Sequence, residues 1–459
     1  MPLYYCDIQG CREPAERYCG ACDLCGRHVC VAHVDKDHNC PGASVEGVGV
    51  MKAIEKMWIE DVQRLNARID LEALCQHAST LRDGIPCSTL PVLVKESMAI
   101  GHKNWHFPIT FDDGVVWLCR TPHTTARAAP PVIQDRILLS EFATYRFLSS
   151  IDVPVPAVFG VAVSSPTNAV GVSYLLMEKV PGKWVDWDTA GVEGKERIME
   201  QIADVYIKIK AHPFPSIGAL LDTSSGDTMF PVGPFVERGQ CNLDDDGNAI
   251  TIGPFSTTLD YFKGVLQHKL DLIVHRELLA KSAVDGYLLY RFLLDNVSSL
   301  PPVKNATDGG FYLVHGGSKA DNILADEKYA ITGIIDWECS EVLPASSAFS
   351  APLFLMDWHR VDNGENEPSE GENRLAEILE AKGHPDLARR VLETRFENYW
   401  VFGVQSGGWI GPRSALGMLK LCGEECGGSV DEAGWAAWKE KIMHRYADDV
   451  GLQSLLRGP

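Results

Sequence analysis

The sequence lacks any run of about 18 apolar residues, the length a bilayer-spanning helix requires. It also lacks the apolar stretch of a secretory leader, because Cys6 and Asp7 follow closely on Met1. Positive charge is scarce as well. There are 42 Lys and Arg against 62 Asp and Glu, a formal net charge of −20. Nucleic-acid and anionic-membrane surfaces need clustered cations, so no nucleic-acid partner and no membrane partner are expected. A cytoplasmic location is the matching expectation, and no internal repeat is visible.

What is present is an ordinary globular balance, 45% apolar and 23% charged, in a chain of 459 residues. That length suggests two or three domains. Of the 14 cysteines, Cys6, Cys11, Cys19, Cys22, Cys25, Cys30 and Cys40 fall near the N-terminus and the rest are scattered. Such clustering within a long chain points to metal ligation rather than to a disulfide framework. Residues 1–42 hold too few aliphatics to build a core of their own.

From Met51 to Leu81 the apolar positions Met51, Ile54, Trp58, Val62, Leu65 and Ile69 recur at helical spacing, and Gly84 and Pro86 end the stripe. This reads as a helix connecting a small module to a larger body. Strands are then expected at Ile109–Phe111 and Val115–Cys119 around an Asp112-Asp113-Gly114 turn, followed by a helix over 132–148 and a strand at Val172–Met177. Beyond Pro181-Gly182 the pattern is mainly helical, with surface loops expected at 241–248 and 362–372. Strands first and helices later describe an α+β protein of two lobes. The expected organisation is a zinc-binding module at 1–45, a helical connector at 46–92, a small β-rich lobe at 93–182 and a large helical lobe at 183–459.

The segment from Phe311 to Glu338 carries the chemistry. It alternates short apolar strands with polar loops and delivers two oxygen ligands, Asn322 and Asp336, from successive strands. Phosphoryl transfer asks for such a pair to hold Mg²⁺ against ATP. His315-Gly316, Asn322-Ile323-Leu324 and Ile334-Ile335-Asp336-Trp337-Glu338 resemble, in type and spacing, the signature of the aminoglycoside phosphotransferase family, particularly its fungal members. The resemblance extends from about Ile100 to the C-terminus. It implies a bilobal protein-kinase-like fold, ATP and Mg²⁺ as cofactors, and a small-molecule hydroxyl as substrate. It also implies that Arg120 contacts the nucleotide phosphates, that Glu141 pairs with Arg120, and that Asn322 and Asp336 hold Mg²⁺. His315, Lys319 and Asp321 are the catalytic-loop candidates.

One position departs from the family pattern. Gly317 stands where the family has its catalytic Asp, and glycine can neither accept nor orient the proton of the acceptor hydroxyl. Asp321 is the nearby carboxylate, and Lys319 falls where protein kinases place a lysine that reaches the transferred phosphate. Two readings follow: a phosphotransferase impaired by Gly317, or a pseudokinase that binds nucleotide without transferring phosphate. A protein kinase fits less well, since no activation segment separates Glu338 from Pro344.

In the N-terminal segment, Cys6, Cys11, Cys22, Cys25, Cys30, His33, His38 and Cys40 follow C-x4-C-x10-C-x2-C-x4-C-x2-H-x4-H-x-C. Eight such ligands suit two tetrahedral Zn²⁺ sites. The spacing resembles the AN-one-type zinc finger of stress-associated proteins, with a wider first pair, a shorter His33–His38 gap and Val29 in place of an aromatic. A B-box-like register using Cys19 with Cys22 is the alternative. The cross-braced pairing of the AN-one type implies one ion on Cys6, Cys11, Cys30 and His33, and another on Cys22, Cys25, His38 and Cys40. Nothing basic and aromatic in the segment suggests nucleic-acid readout, so a protein partner is expected for the finger.

Overall fold

A computed structural model describes residues 1–17, 22, 27–34, 48–93, 103–125, 128–222, 230–279, 281–306, 309–393, 395–408, 411–423 and 432–457. Helix α1 (Val31–Val34) closes the described part of the Cys-rich segment. The apolar stripe after it forms two helices, α2 (Val48–Arg68) and α3 (Leu71–Leu81), rather than one. The break is at Asp70, whose extended backbone leaves the helix and whose side chain accepts a hydrogen bond from the Ala73 N–H at 2.9 Å. Periodicity alone does not reveal such a cap.

Strands β1 (Cys87–Thr89), β2 (Asn104–Phe111) and β3 (Val116–Pro122) are followed by helix α4 (Pro131–Ser150), then β4 (Val158–Ala162) and β5 (Tyr174–Glu178). They build one antiparallel sheet in the order β1-β2-β3-β5-β4. Its β2–β3 turn contains Gly114 at φ 85°, a left-handed angle that suits glycine. Val62, Leu65, Leu74 and Ala78 of the two helices, with Ile69 between them, bury themselves against Trp105, Phe107, Ile109 and Trp117 of the sheet. Complete burial of such side chains contributes roughly 1.5–3 kcal/mol each. The stripe therefore forms part of the sheet's own core.

The remainder is mainly helical, with short strands. In order come β6 (Lys183–Trp184), α5 (Val192–Lys210), β7 (Ala219–Leu220), β8 (Val232–Gly233), β9 (Cys241–Leu243), β10 (Ala249–Thr251), α6 (Thr258–Val274) and α7 (Ala283–Asp295). Then come β11 (Phe311–Val314), β12 (Ile323–Ala325), β13 (Ile331–Ile334) and β14 (Glu341–Pro344), and further helices to Leu456. The stretch expected as a surface loop at 241–248 opens a β9–β10 hairpin whose Cys241 is fully buried. The acidic loop does lie between Asp362 and Glu370, where Ser369 and Glu372 form a capping box at the next helix. A β-sheet lobe followed by a helical lobe is the expected α+β, kinase-like arrangement. Among the described residues no helix is long and apolar enough to cross a membrane.

The Cys-rich segment does not stand apart from this body, although α2 and α3 intervene in sequence. The Arg17 side chain is fully buried, and its Nε and Nη2 donate to Glu277 Oε2 at 2.9 and 2.8 Å. Its remaining donors reach the carbonyls of Arg238 and Cys241 and the side chain of Asn242. Leu3 packs with Ile133 of α4 and Cys241 of β9, and the Tyr4 hydroxyl donates to the Ala128 carbonyl at 2.9 Å. The segment is thus wedged between the start of α4 and the β9–β10 hairpin.

Candidate phosphotransfer site and cysteine cluster

The loop between β11 and β12 is held by its own backbone. His315 donates from Nε2 to the Ile335 carbonyl at 2.8 Å and accepts the Gly317 N–H on Nδ1 at 3.0 Å, so those partners set its tautomer. Burial lowers its pKa, which keeps it neutral. Its ring lies 4.5 Å from that of Trp337. Asn322 Nδ2 donates to the Gly317 carbonyl at 2.7 Å, and the Ile335 N–H donates to the Asn322 carbonyl at 2.9 Å. The Leu353 N–H reaches the Ser318 carbonyl at 3.1 Å from a neighbouring segment.

Strands β12 and β13 pair antiparallel, with Ile323 opposite Ile334. That pairing brings Asn322 and Asp336 to the same end of the hairpin. Along β12 the buried Ile323 and Ala325 face the core, whereas Asn322 and Leu324 face the open side. Asp336 has φ 63° and a side chain that is 47% exposed. A left-handed non-glycine at such a place is costly and persists only where its surroundings hold it. Asp321 and Lys319 are both exposed around the short 3₁₀ turn Ala320–Asn322.

Above this loop, Arg120 of β3 is paired through Nη1 with Glu141 of α4, and both side chains are buried. This is the pairing expected from the sequence. What the sequence did not signal is the second partner. Arg120 Nη2 donates to Glu338 Oε2 at 2.6 Å and lies 3.9 Å from Asp336 Oδ1. Glu338 also accepts from Asn104 Nδ2 at 2.7 Å, and its Oε1 is 3.8 Å from Lys103 Nζ. Burial alone would raise the Glu338 carboxyl, but Arg120 and then Lys103 outweigh it and hold the pKa below the usual range. Glu338 therefore ties the sheet lobe to the loop that carries Asp336. Its place in the Asp-Trp-Glu run was visible in sequence but its role was not, and Lys103 carried no sequence signal.

The glycine at 317 is not required by the backbone. Its φ lies outside the left-handed region, and a Cβ there meets only Asn322 Nδ2, at 3.5 Å, an ordinary contact.

In the N-terminal segment the Cys6, Cys11, Cys30 and His33 ligand atoms all lie within 4.8 Å of one another. Cys30 Sγ is 3.2 Å from His33 Nδ1, Cys6 Sγ is 3.4 Å from the same nitrogen, and Cys11 Sγ is 3.8 Å from Cys30 Sγ. Tetrahedral ligands at Zn–S and Zn–N bond lengths stand roughly 3.3–3.8 Å apart, so this donor set fits Zn²⁺. Of the other expected set, Cys22 is described, while Cys25, His38 and Cys40, together with Cys19, lie outside the described residues.

A model of the APH family, described as the phosphotransferase enzyme family, matches residues 116–347. Among curated proteins, a subtelomeric hrmA-associated cluster protein of Aspergillus fumigatus is 38% identical over 101 residues. The match takes in 21% of this chain and 19% of that protein, so the chain matches about a fifth of the relative's length. A counterpart from a second A. fumigatus strain is 37% identical over the same length. Among solved structures, aminoglycoside phosphotransferase APH(4)-Ia is 12% identical with a TM-score of 0.42, over 78% of this chain and 100% of that one. The GDP complex of wild-type aminoglycoside 2'-phosphotransferase-IIIa is 14% identical with a TM-score of 0.39, over 80% and 99%. With the matched span covering half of the 459 residues and including Arg120, Glu141, Asn322 and Asp336, the chain belongs to the phosphotransferase enzyme family.

Proposed function

We propose that the chain is an ATP- and Mg²⁺-dependent phosphotransferase acting on a small-molecule hydroxyl, slowed by the glycine at 317. The observation that supports this reading is that Asn322 and the exposed Asp336 lie at one end of the β12–β13 hairpin, with Arg120, paired with Glu141, 3.9 Å from Asp336 Oδ1. Mg²⁺ bound there would neutralise charge on the phosphates. Asn322 and Asp336 supply oxygens for it, and His315 braces the loop through its two ring nitrogens. In the reaction the bond from the γ-phosphorus to the ADP oxygen breaks and a bond to the acceptor oxygen forms. The acceptor's proton passes to Asp321 or to solvent. Because the transition state is loose, positioning and charge supply most of the acceleration. The missing general base costs about 10²–10⁴-fold.

The glycine favours a second reading, a nucleotide-binding pseudokinase. Steady-state ATP turnover and nucleotide binding, measured with Mg²⁺ on purified protein against a panel of hydroxyl acceptors, separate the two. Binding with turnover above the solution rate supports the enzyme. Binding without turnover supports the pseudokinase.

The Cys6, Cys11, Cys30 and His33 set is proposed to hold one Zn²⁺, with a second on Cys22, Cys25, His38 and Cys40. Because Arg17 and Leu3 bind the segment to the main body, the metal would stabilise that junction. The finger would recruit a protein partner.

A further inference from the structure

A cavity of about 290 Å³ is lined by Phe311 and Pro344, which pair at one end of β11 and β14, and by Arg390, Arg395 and Glu397. Its volume is near the lower end of the range for small-molecule pockets. His315 follows the other end of β11, four residues on, or about 13 Å at the rise of a strand. Among the described residues, the lining includes none from the loop that carries Asn322 or from the Asp336 turn.

Arg395 opens the short helix Arg395–Tyr399 and is only 5% exposed. A guanidinium has five N–H donors to satisfy. Nη2 donates to Glu372 Oε2 at 3.0 Å and to the Glu367 carbonyl at 3.1 Å. Among the described residues, Nε and Nη1 meet no hydrogen-bond partner. Buried donors without an acceptor are rare and costly. On a side chain that lines a cavity, a bound molecule with an oxygen acceptor would satisfy them.

Charge and shape narrow that molecule. The buried Glu372 carboxylate already balances the charge of Arg395. Burial pushes the Glu397 carboxyl up to about 7, so at neutral pH it carries less than a full negative charge. Glu393, also in the lining, is exposed to water, which screens it. The half-buried Arg390 is then the one cation of the lining left to balance, which suits a single negative charge. A phosphate dianion would bring a second charge against Pro302, Leu392 and Phe396, which offer it no donors. Those same apolar side chains suit a hydrocarbon body.

We propose that this cavity binds a small monocarboxylate with an apolar body, its carboxylate held by Arg395 and Arg390, at a site separate from the phosphotransfer loop. The inference does not rest on the nucleotide reading.

The test is calorimetric titration of the full-length protein with benzoate, isovalerate and cyclohexanecarboxylate. Benzamide serves as the uncharged control and inorganic phosphate as the dianion. At least one carboxylate is expected to saturate one site, with benzamide weaker by tenfold or more. Arg395→Lys keeps the charge opposite Glu372 but removes the open donors, and is expected to weaken binding roughly 10- to 100-fold. Arg390→Gln, at a half-buried position, should weaken it about tenfold and covers the case in which Arg395→Lys fails to fold. Saturating Mg²⁺-ATP should leave the affinity unchanged. Saturable binding of none of the three acids, equal binding of benzamide, tighter binding of phosphate, competition by Mg²⁺-ATP, or native affinity in the folded arginine variants would each overturn the inference.

Discussion

Asn322 Nδ2 donates to the carbonyl oxygen of Gly317 at 2.7 Å, so the amide expected to face Mg²⁺ also fixes the residue that stands in place of the catalytic carboxylate. That hydrogen bond fixes the loop without an acid at 317. Since a Cβ fits there with only an ordinary 3.5 Å contact, the glycine removes a chemical group and leaves the backbone path unaltered.

Gly317→Asp is accordingly expected to raise phosphotransfer by about 10²–10⁴-fold, the usual contribution of acid–base help. The rate is to be compared with that of Asp321→Ala. Collapse of native activity in Asp321→Ala would identify a relocated base. A native protein that is fully active and indifferent to both changes would refute this account of the loop.

Asp336→Ala should abolish Mg²⁺-dependent ATP binding. Asp326→Ala should not, because Asp326 accepts the N–H groups of Lys328 and Ala330, each at 2.8 Å, in the β12–β13 turn. Titration with and without Mg²⁺ decides it, and equal losses in the two variants would show that the motif has been misassigned.

Breaking the Arg17–Glu277 pair is a measure of how firmly the N-terminal segment is joined to the body. Glu277→Gln leaves a buried guanidinium without its counter-charge, which typically costs about 3–5 kcal/mol, read from denaturant midpoints. Replacing both by apolar residues, Arg17→Met with Glu277→Leu, should cost distinctly less. If Glu277→Gln unfolds at the native midpoint, the junction contributes nothing.

Metal analysis of protein purified without chelator should give about two Zn²⁺ per chain. Cys30→Ser, which removes a buried ligand of the described cluster, should lower that by about one. Protein without zinc would rule out the metal assignment.

Glu341, buried at the start of β14 beside Gln405, has its pKa pushed up to about 8 by burial, against hydrogen bonding from Gln240 and with Glu237 adding to the rise. The folded state thus holds a proton that the unfolded state releases near 4.5. Stability should fall as pH rises from about 4.5 to 8, by up to about 1.4 kcal/mol per unit. Lys269, lowered to about 8 by burial, acts in the opposite sense above that range. Glu341→Gln should flatten the decline in denaturation curves taken at several pH values. An unchanged slope would mean that Glu341 is ionised in the native protein.

Spacing within short segments carried the site's framework in the sequence alone. From His315 to Glu338 the apolar runs dictate strands, and strand pairing then places Asn322 near Asp336 whatever the rest of the chain does. The Cys- and His-rich composition marked the N-terminal segment as a metal-ligand segment, but the set Cys6, Cys11, Cys30 and His33 came from the resemblance to the AN-one-type pairing. The Met51–Leu81 stripe showed an apolar face but not the break at Asp70, a matter of one capping hydrogen bond. The tertiary structure alone decided which charges meet. Glu338 lies 218 residues from Arg120 and Glu277 lies 260 from Arg17. No local periodicity encodes such pairs. They arise when two packed elements bury ionisable groups that only each other can satisfy.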